Sequence, residues 1–155
     1  MKRAVILAAA FLLACPLAPA WAAGDAGSPA PPRRNTDYEA GKKAVEAQNW
    51  QGALDSFNRA LQREPNSADV HNYLGYTYRH LGNFDMAFKH YDQALRIDPK
   101  HKGALEYSGE AYLMVNNLAK AEENLARLDK ACVFSCEEYR DLKKAVEDYK
   151  RKGAK

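Results

Sequence analysis

The chain has 155 residues, 46% of them hydrophobic, and a chain of this length favours one domain over two. The composition excludes a disordered, a collagen-like or a disulfide-dense protein. The 23 basic and 20 acidic residues give a net charge of +3. So small an excess predicts no nucleic-acid partner, because nucleic-acid binding requires a clustered basic face.

The first 22 residues have the order of a secretory signal peptide: a positive start, an apolar run over residues 4–14 and then small residues. A helix over that run would span only about 16 Å, roughly half the core of a bilayer, so a permanent membrane span is the weaker interpretation. Residues 20–22, Ala-Trp-Ala, have the pattern of a cleavage site. We predict cleavage after Ala22, a secreted or periplasmic location, and no membrane span in the mature chain.

One alternative for the same segment is a lipid anchor. Residues 12–15, Leu-Leu-Ala-Cys, resemble a bacterial lipobox, in which Cys15 would become the lipidated first residue of the mature protein. The protein would then be an envelope lipoprotein in an assembly complex. In either case residues 23–35, which are rich in proline, are expected to form a flexible linker.

The rest of the chain repeats itself with a spacing of 34 residues. Glycines, alanines, asparagines, prolines and large apolar residues all recur in one register. The recurring sets are Gly41, Gly75 and Gly109; Ala53, Ala87 and Ala121; Asn49, Asn83 and Asn117; Trp50, Phe84 and Leu118; Phe57, Tyr91 and Leu125; Pro65 and Pro99. Chance does not align this many positions, so we predict three copies of one structural unit.

The middle unit shows what each copy is. Residues 68–81 and 84–97 carry apolar residues at helical spacing, and Gly82-Asn83 separates them because both residues tolerate a left-handed backbone. Pro99 ends the second helix, since proline disfavours helical backbone in the residue before it. Each unit is therefore predicted to be a helical hairpin.

These hairpins resemble the tetratricopeptide repeat family. The residues that carry the resemblance in the middle unit are Tyr73, Leu74, Gly75, Tyr78, Ala87, Tyr91, Ala94 and Pro99. The third unit departs from the family pattern, with Leu128 where a small residue is expected and Val133 where the proline would be. The resemblance implies an all-α fold: a right-handed superhelical array of three helix-turn-helix hairpins over residues 36–134, with repeats at 34–67, 68–101 and 102–134. It further implies a non-enzymatic interaction scaffold.

A stack of repeats needs a cap with a polar outer face, because the last hairpin leaves an apolar face open. Residues 135–151 are predicted to be this capping helix, followed by a basic tail at 152–155. Ser135 and Glu138 have the spacing of a capping box. Leu142 and Val146 lie on the apolar face that would cover the array.

Cys132 and Cys136 flank the turn before the capping helix. In an exported protein, two cysteines this close are a candidate disulfide that would pin the cap to the array. The alternative is a thiol–disulfide accessory protein that acts through the same pair. Against this alternative, the chain has no thioredoxin-like strand pattern, and Glu137 and Glu138 would oppose a thiolate.

In the tetratricopeptide repeat fold the first helices of successive hairpins line a concave groove. The residues predicted to line it here are Tyr38, Lys42, Asn72, Tyr76, Arg79, His80, Glu106, Glu110 and Leu113. This mixture would suit a protein or peptide partner with an apolar anchor and a basic residue, although several members could instead belong to solvated helix faces. The family's carboxylate clamp is not matched, because Tyr38 and Lys42 stand where its Lys and Asn would be. Tyr107 is predicted to lie in the core.

Residues that would carry catalysis or bind a cofactor are not recognisable in the sequence. The four histidines lack metal-ligand spacing, and there is neither a phosphate-binding glycine loop nor a zinc-protease motif. We predict no enzyme activity, no cofactor and no metal. The sequence leaves the identity of the partner and the oligomeric state open.

Overall fold

A computed structural model describes residues 35–153, and the described residues form seven α-helices and no strand. The helices are α1 Thr36–Glu46, α2 Trp50–Arg63, α3 Ala68–His80, α4 Phe84–Ile97, α5 Lys102–Met114, α6 Leu118–Ala131 and α7 Glu137–Gly153. Consecutive helices pair into the hairpins α1–α2, α3–α4 and α5–α6, while α7 packs against α5 and α6. The predicted all-α array of three hairpins and a capping helix is confirmed.

The predicted signal peptide, Cys15, the linker up to Arg34 and the last two residues of the basic tail lie outside the described residues. Within residues 35–153, the structure contains no helix that is both long enough and apolar enough to cross a membrane.

The turn inside each hairpin uses one left-handed residue followed by a capping asparagine. Gln48, Gly82 and Asn116 occupy equivalent positions and have φ angles of 54°, 75° and 60°. The asparagine that follows each of them accepts a hydrogen bond from the backbone three residues later, as Asn83 Oδ1 does from Met86 N at 3.1 Å. Asn83 itself has φ −91°, so it caps α4 instead of sharing the left-handed backbone expected from the sequence.

The three repeated glycines let neighbouring helices approach closely. A Cβ atom on Gly75 would lie 2.6 Å from the ring of Tyr91, and one on Gly41 would overlap Phe57. In the third hairpin the partner changes, because a Cβ on Gly109 would meet Leu142 of α7 at 2.6 Å instead of Leu125 of α6. The capping helix therefore fills in the last repeat the space that the second helix fills in the first two.

The close contact between Gly109 and Leu142 belongs to a hydrophobic core shared by the last hairpin and the capping helix. Leu105, Leu128 and Leu142 are fully buried together and join α5, α6 and α7. Asn124 of α6 adds a polar tie, donating to the Leu105 carbonyl at 3.2 Å and to Ser108 Oγ at 2.7 Å. Both helices of the last hairpin are thus fixed to each other and to the cap.

The start of the capping helix differs from the expectation. Helix α7 spans Glu137–Gly153 and not residues 135–151, and Arg140 N bonds the carbonyl of Cys136 at 3.2 Å, which puts Cys136 at the N-cap. Ser135 lies one residue further out, where its carbonyl accepts from the Arg140 side chain at 3.0 Å. Lys152 and Gly153, predicted to begin the tail, continue the helix.

Candidate functional site: the groove face

The first helices of the hairpins lie side by side, with α3 against both α1 and α5, and with α7 against α5. We call the surface formed by α1, α3, α5 and α7 the groove face. Seven of the nine residues predicted for the groove keep part of their side chain at this surface or close beneath it. The other two, Asn72 and Leu113, lie between the helices.

Four aromatic rings form a continuous row across the groove face. Trp50 stacks on His80 with ring centroids 4.1 Å apart and planes 9° apart. Tyr76 follows at 4.5 Å from His80, and Tyr107 lies 4.8 Å beyond Tyr76. The row links α2, α3 and α5, and its members are half-buried or exposed. It supplies a wide, rigid apolar surface with polar edges, the kind of surface that protein interfaces favour.

An ion pair lies beneath this row. Arg79 of α3 pairs with Glu110 of α5, and the Arg79 side chain is only 9% exposed. Its guanidinium carbon lies 5.0 Å from the Tyr76 ring centroid and 5.6 Å from that of Tyr107, so it contacts both rings as well. Arg79 therefore packs beneath the aromatic row and helps to hold its rings in place. Glu110 already neutralises its charge.

The α1 end of the groove face is built differently. Tyr38 packs edge-on against Tyr73 at 5.6 Å and lies 6.0 Å from Phe57, which leaves it half-buried. Lys42 Nζ lies 5.5 Å above the Tyr38 ring. This end therefore presents a cation on an aromatic ring, in contrast to the carboxylates at the α5 end.

Asn72 and Leu113 are buried. Asn72 is 4% exposed and lies beside Gly103 of α5, while Leu113 is 9% exposed within the core shared by α5, α6 and α7. Both residues are buried because α3 and α7 pack against α5. The periodicity of a single helix does not show how near its neighbours lie. Neither residue carries the proposals made below.

Carboxylates converge where α5 meets the start of α7. Glu106 and Tyr107 of α5 line a cleft of about 250 Å³ together with residues of the first turns of α7. The α7 residues are Glu137, Glu138 and Asp141. We call this cleft the acidic pocket. Burial and the charges of Glu110, Asp141 and Glu138 raise the pKa of Glu106 to about 8, and Arg79 opposes them only weakly.

Sequence reasoning missed five residues of this surface: Trp50, Tyr107, Glu137, Glu138 and Asp141. Trp50 was noted only as a repeat position, and Tyr107 was expected in the core. A signal for Glu138 does exist, because it precedes Leu142 by four residues and therefore shares the face of α7 that packs on the array. No repeat spacing could indicate Asp141, since α7 has no counterpart earlier in the chain.

Cys132 and Cys136 lie next to each other, with Cα atoms 5.6 Å apart, a separation that a disulfide spans. The turn between them exposes Val133 and Phe134 almost completely, at 86% and 90%. The disulfide and its redox alternative both remain predictions, and a test follows in the Discussion.

The histidines divide among three environments. His71 and His90 face each other with their Nδ1 atoms 3.0 Å apart, His101 Nε2 lies 3.0 Å from Asp69, and His80 belongs to the aromatic row. Among the described residues, no three histidine, cysteine or carboxylate side chains are grouped as a metal site would require.

Comparison with known proteins identifies the family. Two sequence models, both described as tetratricopeptide repeat, match residues 38–102 and 78–146. Together they run from residue 38 to residue 146, more than half of the chain. The protein belongs to the tetratricopeptide repeat family, which confirms the resemblance of its repeats to that family.

One curated relative is the uncharacterized protein ycf37 of Guillardia theta, which is 29% identical over 91 residues. The match covers 56% of this chain and 51% of that protein. The chain thus spans about half the length of the curated relative that it matches.

Several solved structures have the same fold. The TPR2B domain of yeast Sti1, in complex with pHsp70, has a TM-score of 0.70 at 18% identity and covers 76% of this chain and 95% of that chain. The Yersinia enterocolitica type III secretion translocator chaperone SycD has a TM-score of 0.68 at 18% identity, with 77% and 85% covered. The first TPR of RPAP3, bound to the HSP90 peptide SRMEEVD, has a TM-score of 0.64 at 18% identity, with 73% and 90% covered. At these identities the likeness is one of fold alone.

Proposed function

We propose that the protein is a non-enzymatic scaffold that binds a protein or peptide partner through its groove face. The observation that carries the proposal is the aromatic row of Trp50, His80, Tyr76 and Tyr107, which ends at the acidic pocket. Such a surface offers contact to an apolar anchor and, next to it, to a cation. A solvated helix face would need neither the stacked rings nor the converging carboxylates.

The structural neighbours support this kind of function. The Sti1 and RPAP3 domains are described in complexes with pHsp70 and with an HSP90 peptide, and SycD is described as a translocator chaperone. In this chain the carboxyl groups of Glu106, Glu137, Glu138 and Asp141 line one cleft where α5 meets α7. We therefore propose a partner that is basic where it meets α5.

Selection from a random peptide library tests the proposal. Residues 23–155 would be immobilised, and peptides that bind would be sequenced and measured by isothermal titration. We expect the selected peptides to bind the Phe134→Ala variant as well as the unchanged chain, because Phe134 is 90% exposed outside the groove face. Tyr76→Ala should weaken them at least tenfold, since it removes the centre of the row. Equal binding to both variants would refute the groove assignment.

We further propose that the protein acts outside the cytoplasm after cleavage at Ala22. The signal-peptide pattern of the first 22 residues supports this location. The closely spaced Cys132 and Cys136 support it as well, because disulfides form mainly outside the cytoplasm. The intact mass of the protein purified from its native envelope distinguishes the two processing routes. A chain that starts at Ala23 supports the proposal, whereas a diacylglyceryl-modified chain that starts at Cys15 supports the lipoprotein alternative.

A further inference from the structure

We propose that the acidic pocket binds one lysine or arginine side chain of the partner. This inference rests on the proposed function and adds to it the chemistry of one contact. It concerns the junction of α5 and α7, where Glu106, Glu137, Glu138 and Asp141 surround the cleft and Tyr107 forms one wall.

The first step is the way in which the pocket is assembled. Glu106 and Tyr107 are adjacent on α5, and α7 is held against α5 by the buried Leu142 and Val146. The carboxylates of Glu138 and Asp141 therefore come from a helix that cannot move away without opening the core. Like charges that line one cleft repel, so a cation between them would relieve that repulsion.

The second step is the state of Glu106 itself. This residue is only 8% exposed although it lines the cleft, and no described residue contributes a hydrogen bond to its carboxyl group. A buried carboxylate without a donor is unfavourable. Arg79, the cation that acts on Glu106, is already paired with Glu110. The Glu106 carboxyl oxygens open to the cleft, so a donor from outside the described chain, either water or a cation, reaches them there.

The third step is the choice of an ammonium or guanidinium group. Such a group donates several hydrogen bonds, carries a charge opposite to that of the surrounding carboxylates, and can lie against the ring of Tyr107. The open volume of about 250 Å³ exceeds that of a single ion and accommodates the end of a long side chain. Lysine and arginine side chains have this combination of length and charge.

Proton linkage gives this contact a measurable signature. Burial, Glu110 on its own helix, and Asp141 and Glu138 on α7 raise the pKa of Glu106 to about 8, whereas Arg79 on α3 acts to lower it. A bound cation favours the ionised carboxylate, so binding at pH 7 has to release a proton. Affinity should rise by up to about tenfold per pH unit below that pKa and level off above it.

The experiment uses Nα-acetyl-arginine amide and its neutral isostere, Nα-acetyl-citrulline amide, as probes of residues 23–155. Two-dimensional NMR titrations would be recorded at pH 6.5 and pH 8.5. We expect the arginine probe to shift the amides of Glu106, Tyr107 and Glu138, with at least tenfold tighter binding at pH 8.5. The citrulline probe should leave these amides unchanged.

Two variants complete the test. Glu106→Gln should abolish both the binding of the arginine probe and its pH dependence. Glu147→Gln removes the same charge from the exposed side of α7 and should change neither. The inference is overturned if the citrulline probe binds equally, if Glu106→Gln retains the shifts, or if up to 100 mM arginine probe moves none of these amides.

Failure of this inference and failure of the proposed function give different results. If the selected peptides lack lysine and arginine but bind the Tyr76→Ala variant more weakly than the unchanged chain, the pocket's role is refuted and the groove is supported. If the selected peptides require lysine or arginine, and bind the Glu106→Gln variant more weakly but the Glu147→Gln variant equally well, both the proposed function and the pocket's role are supported.

Discussion

Leu142 of α7 packs directly on Gly109 of α5, so close that a Cβ atom on the glycine would lie 2.6 Å from its Cδ2. Tyr91 makes the equivalent contact with Gly75 inside the middle hairpin. The capping helix is therefore part of the third repeat's packing and not an attachment at the end of the array. The acidic pocket, which needs residues from both α5 and α7, depends on this contact.

Replacing Leu142 with alanine should destabilise the whole array. The side chain is fully buried, and truncation of a buried leucine costs about 2–5 kcal/mol of unfolding free energy. Leu81→Ala is the matched control, because Leu81 is 43% exposed and its truncation should cost well under about 1 kcal/mol. Urea denaturation followed by circular dichroism measures both values. Similar losses in the two variants would contradict the central position of Leu142.

Glu106 should make the protein less stable as pH rises. Its pKa of about 8 in the folded state exceeds the ordinary value of 4.5, so the folded chain holds this proton more tightly than the unfolded chain does. The resulting stability is fully present below pH 4.5 and is lost as pH rises through 8. Between pH 5 and pH 8.5, the unchanged chain should lose roughly 1–3 kcal/mol relative to Glu106→Gln. Parallel pH profiles of the two proteins would contradict the burial of this carboxyl group.

His90 should produce the opposite slope at lower pH. Burial, the neighbouring His71 and Lys89 lower the pKa of His90 from 6.5 to about 4, so the folded chain resists taking up a proton that the unfolded chain accepts. Stability should fall as pH drops from 6.5 toward 4, by roughly 1–2 kcal/mol at pH 5. Because His90→Gln also removes the stacking on Tyr78, the slopes below pH 6.5 should be compared and not the absolute values. A variant whose slope equals that of the unchanged chain would refute this assignment.

The bridge between Cys132 and Cys136, if formed, closes a loop of only five residues. We expect two fewer free thiols in the native protein than after reduction, and a loss of about 2 kcal/mol in the Cys132→Ser, Cys136→Ser double variant. Alkylation followed by mass spectrometry counts the thiols. A reduction potential below about −300 mV would mark a structural bond, whereas a much higher value would favour the thiol–disulfide alternative.

The hairpins could be predicted because each repeats the same local rules. The spacing of Gly41, Gly75 and Gly109 located the close contacts between helices, and Pro65 and Pro99 located the ends of two second helices. Leu128, which stands where the family pattern has a small residue, indicated that the third hairpin packs differently. It is fully buried in the core shared with α7. Local spacing was therefore sufficient for the helices and for their order.

The candidate site was predicted less completely because it depends on contacts between different elements. Leu142 lies beside Gly109, where the repeat spacing would place Leu125, and no periodicity in the sequence indicates this change. The acidic pocket depends on the contact between Leu142 and Gly109. Burial of Asn72 and Leu113 likewise results from how tightly the helices close against α5. Helical periodicity assigns a residue to a face of its own helix, but it does not state how near the next helix lies.

The most direct test of the account is to map where a selected peptide contacts residues 23–155. Amide shifts recorded by two-dimensional NMR, with a peptide obtained from the library selection, give this map. The account predicts that the largest changes occur in α3, α5 and the first turns of α7, around Tyr76, Tyr107 and Glu138. Changes confined to α4 and α6, on the other side of the hairpins, would contradict it.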